Sequence, residues 1–385
     1  MEFWKKLSDF IKKETVLTVA IVLAVISAVV VVPDAEYVGY IDFRTLSILF
    51  CLMAVMAGLQ ELGVFRKVAG MLLRRTHNTV QLVEVLVLLC FFFSMVITND
   101  VSLITFVPFT FIVLRLSGED AVKKLAVPVI VLQTIAANLG SMLTPIGNPQ
   151  NLYLYGKAQM SAEEFIMLML PYSLVSLLLL VVCAAVTAKR SRIMVQGTIT
   201  VPLEDRMESK TTERKNYLLP MYVLLFLLCL LTVAHVVPYP VTLVIVAAAV
   251  LIFDRITITK VDYSLLLTFV GFFIFIGNMG RMPAFREFLQ GIIGGREVMT
   301  SVIASQVISN VPAALLLSGF TEDVKALIVG TNLGGLGTLI ASMASLISYK
   351  QVAGQIPAEK KRYFGWFTAA NVAFLAILLV LNIIL

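Results

Sequence analysis

The chain has 385 residues, of which 59% are hydrophobic and only 14% are charged. Soluble domains carry about 25% charged residues, so this composition excludes an ordinary water-soluble domain and predicts a protein embedded in a lipid bilayer. The formal net charge is +6, but the basic residues lie in short segments between apolar runs, which indicates membrane topology rather than a nucleic-acid partner.

Apolar runs of about 20 residues, the length that crosses a hydrocarbon core, recur along the chain. Backbone groups inside a bilayer must be hydrogen-bonded within the protein, so these runs predict an all-α polytopic membrane protein. The basic start of the chain is typical of a signal peptide, but no small-residue cleavage site follows Val32, which favours a retained first helix. The predicted crossings lie at about residues 15–32, 44–62, 124–160, 165–187, 217–235, 240–254, 263–281, 323–350 and 363–384.

The Lys and Arg residues between these runs predict the orientation. We place the N-terminus in the cytoplasm and treat two stretches, about 80–116 and 297–320, as hairpins that enter and leave on the same side. On this scheme 24 of the 30 Lys and Arg residues are cytoplasmic, as the positive-inside rule requires. Counting either hairpin as a single crossing would invert every later loop and weaken the bias. The scheme therefore predicts two re-entrant hairpins and an external C-terminus, in a bacterial inner (plasma) membrane.

The chain divides into two halves with similar motifs in the same order. Residues 1–188 and 217–385 are the predicted transmembrane repeats, and the polar residues 189–216 are a predicted cytoplasmic linker. Five predicted crossings, an odd number, separate Asp42 from Asp262, so an inverted repeat is predicted, as in many transporters. Chance similarity between two apolar sequences is the alternative. The paired segments are IDFRTLSILF from Ile41 and VDYSLLLTFV from Val261, VITND from Val96 and VISNV from Val307, and ANLGSMLTPIGN from Ala137 and TNLGGLGTLIAS from Thr331.

Polar residues interrupt the apolar sequence of the first half at two places. The tripeptide Thr98-Asn99-Asp100 suits the tip of the hairpin at 80–116. Its side-chain oxygens and the carbonyls of an unwound turn can bind a cation, and a helix that begins there can face an anion. Downstream, Gly140-Ser141 and the segment from Thr144 to Asn151 predict a broken helix over about 124–160, because prolines and glycines disfavour a regular helix.

The second half supplies the counterparts. Ser309-Asn310-Val311-Pro312 predicts the tip of the hairpin at 297–320, and the glycine-rich residues 330–338 predict a broken helix over about 323–350. Irregular backbone at membrane depth is tolerated only where it is buried in protein or faces water, so a functional site is favoured over simple helix kinks. The glycine run lacks the Lys and the flanking strand of a nucleotide loop, and close helix packing is its alternative explanation.

Asp100 is the single carboxylate that the sequence places deep in the membrane region, and its counterpart Val311 is apolar. Intramembrane acids are costly and mark functional sites. The hypothesis is that Asp100 binds the coupling cation or carries a proton, and the alternative is an N-cap for a helix beginning at Val101. No cofactor other than Na⁺ or H⁺ as coupling ion is predicted. The cysteines are interpreted as packing residues, and His77 and His235 as interfacial residues.

Four segments, ITND, ANLGSMLTPIGNPQN, SNVPAA and GTNLGGLGTLIAS, in this order on the predicted inverted repeat, resemble the ion transporter superfamily. That superfamily includes divalent anion/sodium symporters, arsenite permeases and citrate permeases, and the resemblance covers nearly the whole chain. It implies a scaffold domain, a transport domain that moves like an elevator, and hairpin tips that bind sodium and substrate. Related transporters are often dimers, so a homodimer is a further expectation.

The resemblance also implies site residues and a branch of the superfamily. In the dicarboxylate symporters that this superfamily includes, the pattern is Ser-Asn-Thr at both tips. In this chain Asp100 and Val311 occupy the third positions. This departure directs the assignment toward the arsenite-permease and other anion-permease branches. The implied substrate and ion ligands are Thr98, Asn99, Asp100, Thr144, Gly147, Asn148, Ser309, Asn310 and Thr338, with Na⁺ at Asn99, Asp100 and Asn310.

The predicted function is a secondary active transporter of a small anion, a carboxylate or an inorganic oxyanion, coupled to Na⁺ or H⁺. An arsenite/antimonite exporter or a cation/proton antiporter is the alternative, in which Asp100 exchanges protons for the cargo. No enzymatic activity is expected: an intramembrane hydrolase is a remote alternative, because His-Glu-x-x-His, Gly-x-Ser-x-Gly and a second intramembrane Asp are absent from the sequence. A channel would also use broken helices, but two unequal half-sites favour occlusion over a continuous pore.

Overall fold

The computed structural model describes residues 14–193 and 208–385, and every regular element in that part of the chain is helical. Residues 1–13, and residues 194–207 of the predicted linker, lie outside it. The helices of the first half are α1 (Thr15–Val30), α2 (Glu36–Tyr40), α3 (Phe43–Glu61), α4 (Val64–Leu73), α5 (Thr79–Ile97), α6 (Asn99–Leu116), α7 (Glu119–Ser141), α8 (Pro149–Ala158) and α9 (Ala162–Ser191).

The helices of the second half are α10 (Glu208–Val233), α11 (Tyr239–Phe253), α12 (Arg255–Ile258), α13 (Tyr263–Gly280), α14 (Pro283–Ile293), α15 (Glu297–Ile308), α16 (Asn310–Ser318), α17 (Val324–Leu333), α18 (Met343–Gln355) and, after a 3₁₀ turn at Pro357–Glu359, α19 (Lys360–Ile384). From α13 onward they follow the order of α3 to α9. Each predicted crossing and each predicted hairpin contains helices from this series.

Within the described residues, seven helices are long and apolar enough to cross a bilayer: α3, α5, α6, α7, α9, α13, and α19 together with its preceding turn. Shorter apolar helices include α1, α11, α15 and α17. Large apolar side chains remain on the surface, among them Val29 at 78% and Ile383 at 82% exposed, as expected where lipid is the solvent. The prediction of an all-α polytopic membrane protein is therefore confirmed.

Capping residues fix where several of these helices begin. The side chain of Asp42 accepts a hydrogen bond from the Thr45 backbone N–H at 3.0 Å, and that of Asp262 accepts one from Leu265 at 3.0 Å. A side-chain oxygen at this position pairs one of the four backbone donors that a helix start leaves free. The two Asp residues thus start α3 and α13 at matching points of the two halves.

Helix α7 forms the centre of the molecule. Of its apolar segment 83% is buried, against at most 61% for the other six long spans. Close approach of the α5 backbone explains part of this burial, because a Cβ on Gly140 would lie 2.0 Å from the carbonyl oxygen of Phe91. In the second half, a Cβ on Gly334 would lie 2.6 Å from the Oγ of Ser305 on α15. Both glycines therefore allow a hairpin arm to pack directly against a broken helix.

Three expectations need correction. Gly140 and Ser141 do not break the helix: α7 continues to Ser141, so the first break spans Met142 to Asn148. Likewise, α17 continues to Leu333, so the second break spans Gly334 to Ser342 and does not begin at Gly330. A glycine inside a helix can serve close packing as well as interruption. Four short helices, α2, α4, α12 and α14, were not predicted, since their apolar segments are too short to cross a bilayer. Of these, α4 and α14 occupy matching positions after α3 and α13.

Candidate functional site

The two predicted tips share one backbone conformation. Between α5 and α6 a single residue, Thr98, leaves the helical region, with φ 71° and ψ 153°. Between α15 and α16 the single residue is Ser309, with φ 73° and ψ 154°. A positive φ is uncommon for residues other than glycine and costs free energy that the surroundings must compensate. The same unfavourable conformation in both halves indicates a shared structural requirement.

The helices on either side of each tip form a hairpin. Gln133 of α7 donates its Nε2 to the Leu86 carbonyl at 2.9 Å and to Thr110 Oγ1 at 2.8 Å, and these two partners lie equally far from Thr98 along α5 and α6. At the second tip Thr321 Oγ1 donates to Glu297 Oε1 at 3.1 Å, again at equal distances from Ser309. We call α5–α6 the first hairpin and α15–α16 the second hairpin.

Each hairpin tip is hydrogen-bonded to the break of a broken helix. The backbone N–H of Asn99 donates to the Gly147 carbonyl at 3.2 Å, and that of Asn310 donates to the Ala341 carbonyl at 2.9 Å. In the alignment of ANLGSMLTPIGN with TNLGGLGTLIAS, Gly147 corresponds to Ala341. The first N–H groups of α6 and α16, which have no partner within their helices, are therefore satisfied in the same way.

A second pair of bonds joins the same elements further from the tips. Thr144 Oγ1 donates to the carbonyl of Met95 on the first hairpin, and Thr338 Oγ1 donates to the carbonyl of Gln306 on the second at 3.2 Å. Thr144 and Thr338 correspond in the alignment, and Met95 and Gln306 each lie three residues before their tips. The local geometry thus repeats over the whole junction of hairpin and break.

The two breaks also contact each other, with exchanged roles. Asn138 Oδ1 accepts a bond from Ser342 Oγ at 3.0 Å, and Asn332 Oδ1 accepts one from Asn148 Nδ2 at 3.1 Å. Asn138 corresponds to Asn332, and Asn148 corresponds to Ser342. Asn138 and Asn332 therefore each accept a bond from the other half, and the two donors correspond. Reciprocal contacts of this kind are those found around a two-fold axis.

Both predicted Asn residues reach this layer of polar groups. Asn99 Nδ2 donates to Asn138 Oδ1 at 3.1 Å. Asn310 lies beside Gly335, on which a Cβ would be 3.0 Å from Asn310 Nδ2, and the Gly335 carbonyl accepts a bond from Asn138 Nδ2 at 3.4 Å. Asn99 and Asn310 are each 5% exposed. Asn138 therefore lies between the two tips: it is hydrogen-bonded to Asn99 and to Gly335, beside which Asn310 packs.

A cavity of about 240 Å³ lies against the first hairpin tip. Helices α8 and α18 begin at the lining residues Pro149 and Met343, and Thr98, the residue before α6, also lines the cavity. The positive ends of three helix dipoles therefore lie at this cavity. Apolar side chains of α3 and α13, among them Leu52 and Leu265, also line it. Residues that contribute polar groups or helix starts to the lining are Gln60, Thr98, Asp100, Asn148, Pro149, Lys260, Asp262 and Met343.

Asp100 has an unusual position in this cavity. Its Oδ1 is buried and, among the described residues, has no hydrogen-bond partner. Asp262 also lines the cavity, and the Lys260 ammonium there is already paired with the Glu61 carboxylate. A buried carboxylate oxygen without a partner is costly, so this position suits an added cation or proton.

The structure separates the predicted site residues into groups. Thr98, Asp100 and Asn148 line the cavity. Thr338 is exposed and is not among the cavity-lining residues. The N-cap alternative for Asp100 is wrong, because α6 begins at Asn99 and Asp100 lies inside its first turn. The other predicted residues, Asn99, Thr144, Gly147, Ser309 and Asn310, belong to the junctions of hairpins and breaks.

Sequence reasoning missed four residues that hold the site together: Asn138, Asn332, Ser342 and Gln306. The first two were visible in the repeated Asn-Leu-Gly of both halves, and Ser342 is aligned with Asn148. Gln306 is a polar residue in an apolar arm and bonds the second break through its side chain. Among the described residues no group of three His, Cys, Asp or Glu side chains could hold a metal ion.

Comparison with known proteins identifies the family. A family profile described as "Citrate transporter" matches residues 7–325. The chain belongs to the citrate transporter family. With that family it belongs to the ion transporter superfamily, so the expected resemblance is confirmed.

Individual relatives are similar over most of the chain. An uncharacterized transporter of Methanocaldococcus jannaschii is 29% identical over 85% of this chain and 86% of its own length. Inner membrane protein YbiR of Escherichia coli is 32% identical over 80% of each chain. A silicon efflux transporter of Oryza sativa subsp. japonica is 33% identical over 39% of this chain and 29% of its own length. The family and these names support a membrane transporter of anions or other solutes.

Proposed function

We propose that the protein is a secondary active transporter of a small anion, a carboxylate or inorganic oxyanion, coupled to Na⁺ or H⁺. The observation that carries the proposal is the buried, unpartnered Oδ1 of Asp100 in a cavity where three helices begin. In this proposal Asp100 holds the coupling ion, Asn99 and Asn310 contribute to the ion and substrate sites at the two tips, and the helix starts receive the anion.

The electrostatics of the cavity provide a physical basis for coupling. With Asp100 and Asp262 ionised and Lys260 paired with Glu61, the side chains lining the cavity repel an anion. A Na⁺ ion or proton on Asp100 removes one of these charges, and the N-termini of α6, α8 and α18 then attract the anion. Cargo therefore binds well only after the coupling ion, which is the condition for symport.

An inverted repeat with two re-entrant hairpins is part of the proposal. It is supported by the paired backbone at Thr98 and Ser309 and by the exchanged contacts Asn138–Ser342 and Asn332–Asn148. The odd number of predicted crossings between the halves requires opposite orientations, with the N-terminus in the cytoplasm and the C-terminus outside. The Escherichia coli relative is named as an inner membrane protein, which supports an inner-membrane location.

Elevator-type movement is also proposed. The moving unit would contain the two hairpins, the two broken helices, α9 and α19, and the scaffold would contain α1–α4 and α10–α14. Aromatic pairs are among the contacts between the units: Tyr153 of α8 lies 5.6 Å from Phe273 of α13, and Phe285 of α14 lies 5.6 Å from Phe320, between ring centroids. Apolar surfaces with few directional bonds can slide at low cost.

Transport by purified protein in proteoliposomes tests the proposal. We expect accumulation of a labelled small anion, for example citrate, sulfate or arsenate, only under an imposed Na⁺ or proton gradient. Asp100→Asn should abolish gradient-driven accumulation. Asp262→Asn is the matched control, because it removes a carboxylate from the same cavity while Asn still caps α13. Equal coupling in wild type and Asp100→Asn would contradict the role of Asp100, and downhill flux without gradient coupling would indicate a channel.

A second candidate is export of a neutral metalloid acid, such as arsenite or silicic acid, in exchange for protons. Two observations favour it: the partial similarity to a silicon efflux transporter, and a cavity whose one cation, among the described lining residues, is already paired. Neutral hydroxides need hydrogen-bonding oxygens rather than a cationic pocket. Uptake into vesicles of the two orientations would distinguish the candidates. Arsenite uptake into everted vesicles that stops when the proton gradient is dissipated supports exchange. Anion uptake into right-side-out vesicles supports symport.

A further inference from the structure

A second cavity, of about 670 Å³, lies between α7, α9 and α19. It shares no lining residue with the cavity at the first hairpin tip. Its walls are apolar and include Leu132, Val182, Val186 and Phe374. Val182 is 52% exposed and Val186 is 47% exposed, so the cavity opens to the outer surface of the helix bundle, where lipid is the solvent.

One end of this cavity is strongly basic. Lys124 from α7, Arg190 and Arg192 from the end of α9, and Arg362 from the start of α19 all line it, and no acidic residue is among its described lining. Arg362 is engaged with the Lys123 carbonyl at 2.7 Å and with Glu359 at 3.2 Å. The other three cations have no ion-pair partner in the part of the chain that the structure describes.

The basic and apolar parts have a consistent order along each helix. From the cations the lining runs inward to Leu132 on α7, to Val182 on α9 and to Phe374 on α19. At 1.5 Å per residue these distances are roughly 12 to 18 Å, close to half of a hydrocarbon core of about 30 Å. The cavity therefore has the depth of one membrane leaflet, with cations where headgroups lie.

Trp366 lines the cavity near its basic end and is 47% exposed. Tryptophan concentrates at the boundary between headgroups and acyl chains, which agrees with this depth. A clustered set of Lys and Arg at a helix end attracts anionic lipid, and basic pockets between transmembrane helices bind anionic headgroups. A soluble phosphate would use the cations and leave the apolar walls without a partner.

We propose that this cavity is a binding site for an anionic phospholipid. The phosphate is held by Lys124, Arg190 and Arg192, and an acyl chain fills the slot between α7, α9 and α19. Such a lipid fastens α9 and α19 to the central helix α7. The basic end faces the cytoplasm in the predicted topology, so a lipid of the cytoplasmic leaflet would occupy the site.

Native mass spectrometry of the purified full-length protein tests the site without any transport measurement. Delipidated protein is mixed with phosphatidylglycerol or phosphatidylcholine of the same acyl chains. We expect phosphatidylglycerol to be retained preferentially, and the triple variant Lys124→Gln/Arg190→Gln/Arg192→Gln to weaken its binding by roughly five-fold for each cation removed. The matched control, Arg286→Gln/Arg296→Gln/Lys325→Gln, removes three exposed cations outside the cavity and should leave binding unchanged.

A second variant separates the acyl slot from the headgroup. Val186→Trp fills the slot and should lower retention of both lipids while all four cations remain. Thermal melting with each lipid provides a parallel reading, with greater stabilisation by phosphatidylglycerol in the wild type only. The proposal is overturned if the two lipids bind equally and the triple variant has no effect. It is also overturned if glycerol 3-phosphate binds as tightly as the lipid, or if the triple variant changes dimerisation and not lipid binding.

Discussion

The two hairpin tips have the same backbone and different side chains. Thr98 and Ser309 agree within 2° in φ, from 71° to 73°, and each tip is followed by an Asn whose N–H bonds the neighbouring break. The next residue is Asp100 in one tip and Val311 in the other. Backbone geometry is thus common to both halves, whereas the carboxylate that we propose for coupling is present in only one tip.

Two cavities with corresponding lining residues differ in the same way. A cavity of about 330 Å³, which we call the Tyr153 cavity, is lined by residues of both halves that include Tyr40, Asp42, Phe273, Ile276 and Gly277. These positions correspond to the lining residues Lys260, Asp262, Met53, Met56 and Ala57 of the cavity at the first tip. Ser309, Asn310 and Val311 of the second tip do not line the Tyr153 cavity.

Tyr153 is a further difference between the two cavities. It lines the Tyr153 cavity, is 7% exposed, and its hydroxyl bonds Ser318 of the second hairpin at 2.9 Å. Its counterpart in the other cavity is the smaller Ile347. The tip that carries Asp100 therefore lines its cavity, whereas the second tip does not line the Tyr153 cavity.

Exchanging the third tip residues should have the largest effect. Asp100→Val should remove gradient-driven transport, and Val311→Asp should destabilise the protein by roughly 3 kcal/mol, because it buries a carboxylate without a partner. The double exchange should not restore coupling, since the Tyr153 cavity does not reach the second tip. Uptake under a gradient and thermal melting measure both effects. Restored coupling in the double variant would mean that the two halves are equivalent.

The second largest effect is expected at Gly147, whose carbonyl accepts the backbone N–H of Asn99. A Cβ on Gly147 would lie 2.0 Å from the Ser141 carbonyl oxygen, a contact with backbone that no rotamer change can relieve. Gly147→Ala should therefore cost about 3 kcal/mol of stability. The control is Ala341→Gly, its counterpart, which should cost at most about 1 kcal/mol. Thermal melting in one detergent compares the two variants, and equal melting temperatures would contradict the close approach.

The third largest effect is expected at Gln306, whose side chain is hydrogen-bonded to the second break. Gln306 donates its Nε2 to the carbonyls of Gly334 at 3.0 Å and Leu336 at 2.9 Å, and its Oε1 accepts from the Thr338 N–H at 2.8 Å. Gln306→Met introduces the residue found at Met95 of the first half. It should lower the free energy of unfolding by roughly 2 kcal/mol, a value that already takes the exposure of Thr338 into account. Hydrogen exchange of the Thr338 amide should accelerate.

The reverse substitution, Met95→Gln, provides the control for that comparison. It adds an amide where the first break needs no partner, so exchange at Thr338 should stay at the wild-type rate. Unchanged exchange in Gln306→Met would show that the second break is rigid without this side chain.

The sequence predicted the interruptions well because they are made by residue types with strong local preferences. Each polar tripeptide within an apolar run contains the residue at which the helix is interrupted, Thr98 or Ser309. The ordered motifs align Gly147 with Ala341. The exact end of α7 was missed, because Gly140 has the composition of a breaker but serves packing against Phe91. Local composition cannot distinguish these two uses.

Long-range contacts were outside the reach of the sequence. Asn138 was noticed only as part of a motif, since nothing along the chain indicates that it receives a bond from Ser342, 204 residues away. Likewise, the exposure of Thr338 follows from the path of the second break and not from its residue type. The role proposed for Asp100 in coupling stays a prediction until transport is measured.

The smallest expected effect concerns the exchanged contacts between the breaks. Ser342 is 1% exposed and precedes α18, but its side chain makes no capping bond, so Ser342→Ala removes only the bond to Asn138. Asn138 Oδ1 still accepts from Asn99 Nδ2, and the cost should be about 1 kcal/mol. A double-mutant cycle with Asn138→Ala isolates this coupling energy. Asn148, the counterpart of Ser342, provides the reference.

Asn148 also caps α8 through the Asn151 N–H at 2.9 Å, besides bonding Asn332 at 3.1 Å. Asn148→Ala should therefore exceed Ser342→Ala by about 1 kcal/mol, the usual contribution of an N-cap. If the two substitutions lower the stability equally, the cap at Asn148 makes no measurable contribution to the free energy of unfolding. If Ser342→Ala costs nothing and shows no coupling to Asn138, the reciprocal contact does not stabilise the layer that joins the tips.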